Sequence, residues 1–298
     1  MKGMREIRNR IKAVKGTGQI THAMELVAAS KMRRAQQAAE NGRAYATLLM
    51  DMTETVIKQI GSVLDGNNPD KNRTKRLIIV FSTDKGLCGA LNTNLFKTIL
   101  ELDGDAEYIA VGNRAARFIA RIGKPLKAQF SISDHVKFSE VRKIADFAMK
   151  LAKEQGDIGS LEVLYPLYIN TLKQEPTLVK IAPVDNIDDF VKRLRKTYKL
   201  DTAEKAEDSR EILFEPSPKA ILDELPQYYI KQALFHMALD AKASEHSARM
   251  VAMKSASDNA DALVHSLTIE YNKARQEAIT TEILELASAA QAMENNNG

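Results

Sequence analysis

The two ends of the chain carry apolar residues at helical spacing. Near the N-terminus these residues recur three and four apart in two series: Met4, Ile7, Ile11 and Val14, then Ala35, Ala38, Gly42, Tyr45, Leu49, Met52 and Val56. The stripe is only one or two positions wide, which is typical of a coiled-coil seam rather than of a broad core-facing surface. As one helix, residues 1–59 would span roughly 88 Å, too long to be absorbed by a compact middle domain.

The C-terminal region is rich in small residues, and its pattern is also helical. We place its stripe at Ala248, Ala252, Ser255, Asn259, Ala262, Ser266 and Ile269. Small residues let two backbones approach closely, but they bury little apolar area at about 25 cal/mol per Å². A helix with so narrow a stripe is marginal alone, and the middle region connects the two ends. We therefore expect an antiparallel coiled coil of the N- and C-terminal helices.

The middle of the chain alternates β-branched runs with helical patterns. The runs predict strands at 76–82, 107–112, 161–170 and 177–184, and the intervening patterns predict helices at 90–102, 114–122 and 139–155. This alternation indicates a small, mostly parallel, Rossmann-like sheet covered by helices. The predicted fold class is α/β with long helical extensions. A helical bundle within a larger globule is the alternative, but bulky apolar residues are few for it.

Composition changes along the chain predict five segments. They are an N-terminal coiled-coil helix at 1–60, a turn-rich linker at 61–75, an α/β globular domain at 76–216, a C-terminal coiled-coil helix at 217–292 and a tail at 293–298. Within the globular domain, the highly charged residues 185–210 are predicted to form a loop or surface segment.

Overall composition and charge exclude several classes of protein. The 298 residues are 44% hydrophobic and 28% charged, which excludes global disorder, and no stretch approaches the roughly 20 apolar residues of a membrane-spanning helix. The net charge of +4 is too small to imply nucleic acid by itself. The single cysteine, Cys88, excludes an intramolecular disulfide and a cysteine-cluster zinc site, and it indicates a reducing compartment.

The sequence evidence for a catalytic or ligand-binding site is weak. The loop at 82–89 follows the first strand, where doubly wound sheets bind ligands, but it lacks both the Walker pattern and the GxGxxG spacing. The five histidines are scattered rather than paired for a metal. The basic residues 31–34 fit a solvated helix face, an acidic protein partner or a dimeric DNA-binding zipper. The alternative that the chain is a nucleotide-binding enzyme with helical arms also remains open at this point.

Apolar residues near the C-terminus give the most specific indication of a partner-binding surface. Ile279, Ile283, Leu284 and Leu286 lie where a projecting helix would have its free tip. Apolar groups exposed at such a tip require a partner pocket.

Several segments of the chain resemble a known family. These segments are Ile20–Met32 (ITHAMELVAASKM), Ser82–Asn92 (STDKGLCGALN), Ala243–Lys254 (ASEHSARMVAMK), Tyr271–Gln276 (YNKARQ) and residues 279–285. On them the sequence resembles the gamma subunits of F-type ATP synthase, which form the central rotor stalk. Residues 100–210 match only in pattern.

The resemblance implies a function and a set of partners. The chain would be the rotor shaft that couples ion flow through the membrane ring to ATP synthesis or hydrolysis, without catalysing a reaction itself. It would be present in single copy with the alpha and beta subunits, the epsilon subunit and the c ring. It would lie on the cytoplasmic face of the bacterial inner (plasma) membrane, and contact the membrane only through the complex.

The resemblance also implies which residues bind these partners. Contacts with the alpha/beta hexamer fall on Met24, Arg249, Gln276, Thr280 and Glu282, and contacts of the foot with the c ring and epsilon fall on Phe214 and Glu215. No catalytic residue, cofactor, metal or nucleic acid is implied.

Overall fold

The computed structural model describes residues 2–60, 74–182, 215 and 218–296. Within these ranges ten elements follow one another: α1 (Lys2–Ile60), β1 (Lys75–Phe81), α2 (Leu91–Glu101), β2 (Ala106–Val111), α3 (Asn113–Arg121), β3 (Leu126–Phe130), α4 (Phe138–Gln155), β4 (Ile158–Tyr168), β5 (Gln174–Ala182) and α5 (Pro218–Asn296). The predicted loop at 185–210 and all but the last two residues of the predicted linker lie outside the described residues. Across those described ranges, no helix is long and apolar enough to cross a membrane.

A five-stranded sheet occupies the middle of the chain, in the order β3-β2-β1-β4-β5. The first four strands run parallel, and β5 pairs antiparallel with β4. The predicted mostly parallel, Rossmann-like sheet is thereby confirmed. Strand β3 was not predicted, because its apolar signal is short and is interrupted by Lys127 and Gln129; it is a five-residue edge strand whose alternating residues are only half-buried.

The sheet is packed on both faces because successive side chains of its strands point in opposite directions. On one face, Leu77, Ile79 and Phe81 of β1 share a buried cluster with residues of α4 and of the N-terminal part of α5. On the other face, Ile78 and Val80 pack with α2 and α3. Such a three-layer arrangement explains why β1 is an unbroken apolar run.

The described chain divides into two compact units, one made of Met1–Val27 with Met250–Gly298 and the other of Ala28–Arg249. In the first unit, residues of low exposure recur at heptad spacing on both helices. They are Met4, Ile7, Ile11, Val14, Gly18 and Thr21 on α1, and Met253, Ser257, Ala260, Val264, Leu267, Tyr271 and Ala274 on α5. Alternating steps of three and four on two helices define a coiled-coil seam, which confirms the predicted pairing of the terminal helices.

The two helices approach each other closely at Gly18. A Cβ atom added there would lie 3.3 Å from the Cβ of Ala260, and the hydroxyl of Ser257 donates to the Gly18 carbonyl at 3.4 Å. Small residues therefore set the separation of the two helices.

The predicted position of the seam on α5 was wrong. Five of the seven residues assigned to it are exposed, from Ser255 to Ile269, and Ala248 and Ala252 are only half-buried. The actual seam lies two residues away, a rotation of roughly 200° around the helix. Alanine and serine occur all around α5, so small-residue spacing alone could not distinguish the buried face from the exposed one.

Candidate functional site

Strand order reverses between β1 and β4, because β2 and β3 extend from one side of β1 and β4 lies on the other. The carboxyl ends of such strands border a crevice in which open α/β sheets commonly bind ligands. In this protein, residues 241–249 of α5 occupy that crevice. The hydroxyl of Ser244 donates to the carbonyl of Pro166 on β4 at 2.8 Å, and the hydroxyl of Ser247 donates to the carbonyl of Thr171 at 2.8 Å.

Little space remains beneath the helix. A cavity of about 10 Å³ lies there, lined by Phe81, Ser82, Thr83, Leu91, Ile132, Pro166, Ala241, Lys242 and Glu245. That volume suits about one water molecule, whereas ligand pockets measure about 300–1,000 Å³. The geometry of this crevice therefore counts against the nucleotide-binding interpretation of the loop at 82–89.

The loop at 82–89 is held by side-chain hydrogen bonds. Asn92 donates from Nδ2 to Thr83 Oγ1 at 2.8 Å and contacts Cys88 Sγ at 3.2 Å, and Thr83 Oγ1 donates to the Lys85 carbonyl at 2.6 Å. Burial raises the pKa of the Cys88 thiol, so that this sulfur stays protonated and packs as a small apolar group. Leu87 adopts a positive φ of 62° although it is not glycine, and its side chain is 61% exposed.

Six ionisable side chains meet next to this loop, and we call them the charge cluster: Lys31, Asp134, Lys242, Glu245, His246 and Arg249. They come from α1, from the loop between β3 and α4, and from α5. The carboxylate of Asp134 accepts from Lys31 Nζ at 2.6 Å, and its other oxygen lies 3.9 Å from Lys242 Nζ. Asp134 therefore contacts both long helices within the sheet-containing unit.

Glu245 is the most deeply buried carboxylate of the charge cluster. Its two oxygens bind different cations: Oε2 accepts from Lys242 Nζ at 3.0 Å, and Oε1 accepts from Arg249 Nη2 at 2.8 Å. Burial alone would raise the pKa of Glu245, but the charges of Lys242 and Arg249 outweigh it and hold this pKa below its usual range. The carboxylate is therefore ionised at neutral pH.

His246 is buried within the same cluster. Burial lowers the pKa of its imidazole to about 4, so the ring is neutral at pH 7. Arg249 Nη1 lies 3.5 Å from Nδ1; because a guanidinium can only donate, we assign the proton to Nε2. That nitrogen lies 3.8 Å from Asp134 Oδ1 and has no hydrogen-bond partner among the described residues.

The residues implied by the family resemblance lie in different environments. Arg249 is half-buried in the charge cluster, and its Nη2 also donates to the carbonyl of Gly86 at 3.4 Å. Met24 is half-buried on α1, whereas Gln276, Thr280 and Glu282 are exposed on α5. Glu215 is exposed. Phe214 lies outside the described residues.

Most of the charge cluster was not predicted from the sequence. Lys31 was noted as part of a basic run and Arg249 through resemblance, whereas Asp134, Lys242, Glu245 and His246 were not. A signal was present on α5, where Lys242, Glu245 and Arg249 are three and four residues apart and so share one helix face. Nothing in that spacing shows that the face is buried, and Asp134 comes from a distant loop.

Comparison with known proteins identifies the fold first. A chain of the Euglena gracilis mitochondrial ATP synthase, in a structure described as "OSCP/F1/c-ring", matches with a TM-score of 0.67 at 18% identity, over 100% of this chain and 96% of that one. A chain of the rotor of the same enzyme matches with a TM-score of 0.61 at 18% identity, over 93% and 99%. The sheet with its paired terminal helices is therefore a fold found in ATP synthase assemblies.

Sequence comparison then gives the family. The family model described as "ATP synthase" matches residues 3–293. The ATP synthase gamma chain of Opitutus terrae is 45% identical over 97% of this chain and 98% of the relative, and that of Methylacidiphilum infernorum is 40% identical over 97% and 98%. The chain belongs to the ATP synthase gamma chain family.

Proposed function

We propose that this chain is the central rotor shaft of an F-type ATP synthase. It couples ion flow through the c ring to ATP synthesis or hydrolysis in the alpha/beta hexamer. The observation that carries the proposal is the slim coiled coil of α1 and α5 in a member of the gamma chain family. Its relatives named as gamma chains and its structural neighbour from a rotor support the same role.

A two-helix shaft cannot have three-fold symmetry, which gives it a means of making three equivalent partners differ. The outer faces of α1 and α5 carry different side chains, so each orientation presents a different surface to each surrounding subunit. A partner shifts a conformational equilibrium only by binding its alternative states unequally. Rotation of the shaft would then favour a different state of each catalytic subunit in turn.

The proposed contacts with the hexamer are Met24, Arg249, Gln276, Thr280 and Glu282. Gln276 and Thr280 are four residues apart, hence on one face of α5, and both are exposed, as contact with a partner requires. Near them Ile279, Ile283, Leu284 and Leu286 are all exposed by 45% or more. An apolar surface of this kind fits a sleeve of partner subunits that allows slip.

The other proposed contact is a foot, formed by Phe214 and Glu215, that touches the c ring and epsilon. The exposure of Glu215 is compatible with this role. Through that contact the chain, in single copy, would be a peripheral protein on the cytoplasmic face of the bacterial inner (plasma) membrane. The c ring in the description of a structural neighbour supports this placement.

We further propose that the chain carries out no bond chemistry. In its sheet-containing unit the crevice at the strand-order reversal is occupied by α5, which leaves no space there for a nucleotide-sized substrate. The chemistry of the assembly would then belong to its other subunits.

Reversible cross-linking tests the rotary role directly. Cys88 is buried and is the only cysteine, so Gln276→Cys introduces one accessible thiol. A photoreactive maleimide attached there, with a cleavable disulfide spacer, should cross-link to an alpha or beta subunit in the assembled complex. We expect ATP-driven ion pumping to fall at least tenfold on cross-linking and to return on reduction of the spacer.

The matched control is Glu101→Cys, an exposed position on α2 in the other unit, treated with the same reagent. Full pumping by complexes whose Gln276→Cys shaft is fixed to the hexamer would overturn the rotary role. A chain that does not co-purify with the alpha, beta and c subunits would overturn the proposal altogether.

A further inference from the structure

The buried carboxylate of Glu245 requires an explanation beyond packing. Its side chain is 7% exposed, and those of its two partners, Lys242 and Arg249, are 5% and 13% exposed. Burying a charge is costly unless it is paired, and replacing such groups by apolar residues is often neutral or stabilising. A buried ion pair is therefore weak evidence for a role in stability. Its geometry is therefore better explained by what it orients.

What Glu245 orients is the guanidinium of Arg249. The carboxylate lies one helical turn before the arginine and accepts from its Nη2 at 2.8 Å. The same nitrogen donates to the Gly86 carbonyl at 3.4 Å. Because the guanidinium is planar and rigid, two acceptors on one nitrogen set the direction of the whole group. The contacts of Arg249 with Glu245, Gly86 and His246 all use Nη1 or Nη2.

The helix segment that carries both residues is itself fixed. Ser244 and Ser247 flank Glu245 and donate to the carbonyls of Pro166 and Thr171, both at 2.8 Å. Ser244 is fully buried, and so is Ser247. Glu245 is therefore carried by a helix segment that is attached to β4 and to the turn after it, and it offers the guanidinium an acceptor in a defined position.

We infer that Glu245 is a positioning residue for Arg249: it holds the guanidinium in the orientation in which Arg249 serves the coupling of rotation to catalysis. This inference rests on the proposed function, in which Arg249 contacts the alpha/beta hexamer. The side chain of Glu245 is only 7% exposed, so its effect on coupling would pass through Arg249.

A double-mutant cycle in the assembled complex tests this dependence. We compare Glu245→Ala, Arg249→Ala and the double variant, measuring ATP synthesis and the number of ions pumped per ATP hydrolysed. Each single variant should lower coupled synthesis about tenfold, which lies within the range of fold-changes that typical coupling free energies produce. The double variant should lose no more than Arg249→Ala alone, because residues that act as one unit are not additive. Subunit stoichiometry is checked for every variant.

A second set of variants guards against simple misfolding. Glu245→Gln keeps an oxygen facing Nη2 and should recover about one third of wild-type synthesis. Glu245→Gln leaves the buried ammonium of Lys242 without its carboxylate partner. Combining Glu245→Gln with Lys242→Met removes that ammonium as well. A merely structural role predicts that coupling follows the thermal midpoint of each variant, whereas a positioning role predicts that it follows the presence of an acceptor at residue 245. Glu101→Gln, an exposed carboxylate on α2, is the control and should behave as wild type.

Two results would overturn the inference while leaving the proposed function intact. One is normal coupling by Glu245→Ala in a complex that Arg249→Ala impairs. The other is a double variant whose loss is the product of the two single losses. If instead the wild-type chain supports no coupled synthesis in its assembled complex, the proposed function fails, and the inference fails with it. Measuring coupled synthesis by the wild-type complex is enough to distinguish failure of the proposed function from failure of the inference alone.

Discussion

Each of the two units of this molecule is stabilised internally by a different kind of buried side chain. In the sheet-containing unit, large residues such as Ile79 and Tyr108 are fully buried and supply apolar area. In the coiled coil the buried positions include Gly18, Ser257 and Ala260, which supply close backbone approach but little area. At about 25 cal/mol per Å², each seam layer of this kind contributes far less than a layer of the sheet. A thin pair of helices is thus obtained at the expense of local stability.

Glycine shows the same contrast at single positions. Gly112 has a φ of 107°, and a Cβ there would lie 2.3 Å from the backbone oxygen of Ser82. Gly18 is helical, and its added Cβ would meet two side chains of α5, the Ala260 methyl at 3.3 Å and Asp261 Oδ1 at 3.9 Å. One glycine is required by a backbone that cannot move, whereas the other faces a side chain on a separate helix that can shift by a few tenths of an ångström.

The largest expected effect is that of Gly112→Ala. The substitution combines a left-handed backbone conformation with a collision against fixed backbone, so we expect a loss of about 4 kcal/mol in the free energy of unfolding. Urea denaturation followed by circular dichroism measures it. Gly123→Ala is the control: this glycine also has a positive φ, 70°, but an added Cβ would meet nothing within 4 Å. Equal losses at the two positions would show that the approach to Ser82 is unimportant.

The next effect is a dependence of stability on pH in the sheet-containing unit. The pKa of His246 is about 4 in the folded chain and 6.5 in an unfolded one, so below pH 6.5 the unfolded state binds the extra proton. The free energy of unfolding should therefore fall by about 3 kcal/mol as the pH is lowered from 7 to 4. Urea titrations at a series of pH values measure the slope.

His246→Gln should remove that part of the slope, whereas replacing the exposed His135 with glutamine should retain it. The carboxylates of Asp134 and Glu245 have lowered pKa values, so the loss of their stabilisation begins only near their unfolded pKa values of 3.8 and 4.5, at the lower end of this pH range, and adds to the effect of the histidine there. An unchanged slope in His246→Gln would contradict the assignment.

The smallest effect is expected for Gly18→Ala in the coiled coil. Alanine is favoured over glycine in a helix by about 1 kcal/mol, and the tight contact with Ala260 opposes this gain. We expect a net change below about 0.5 kcal/mol. Hydrogen exchange of the amides around 253–267, compared with those of β1, would localise it. Gly16→Ala, where an added Cβ meets nothing within 4 Å, should show the uncompensated gain. Strong destabilisation by Gly18→Ala would mean that the seam is as rigid as the sheet.

The same contrast governs how much of the structure could be predicted from sequence. Buried strands such as β1 are contiguous apolar runs, and their predicted bounds lie within three residues of those observed. The short edge strand β3 was missed because half-buried residues give little contrast. On α5 the seam was placed on the wrong face, since alanine and serine mark buried and exposed positions alike. Composition predicts that a helix forms. Which face of a helix rich in small residues is buried depends on the helix that packs against it.

The candidate site was predictable only in part for a related reason. Spacing on α5 places Glu245 and Arg249 together, and family resemblance draws attention to the arginine. Nothing local predicts that Asp134, more than a hundred residues away, faces the same group, or that Ser244 and Ser247 donate to β4 and to the following turn. Burial of charge is a property of the assembled fold and leaves no pattern in a single segment.

The crevice at the reversal of strand order has one further consequence. Its occupant is covalently attached to the sheet, so its effective concentration is set by the chain and not by the cell. A diffusible ligand would instead dissociate when its concentration fell. The helix segment in the crevice therefore stays in place whatever the concentration of small molecules around the protein.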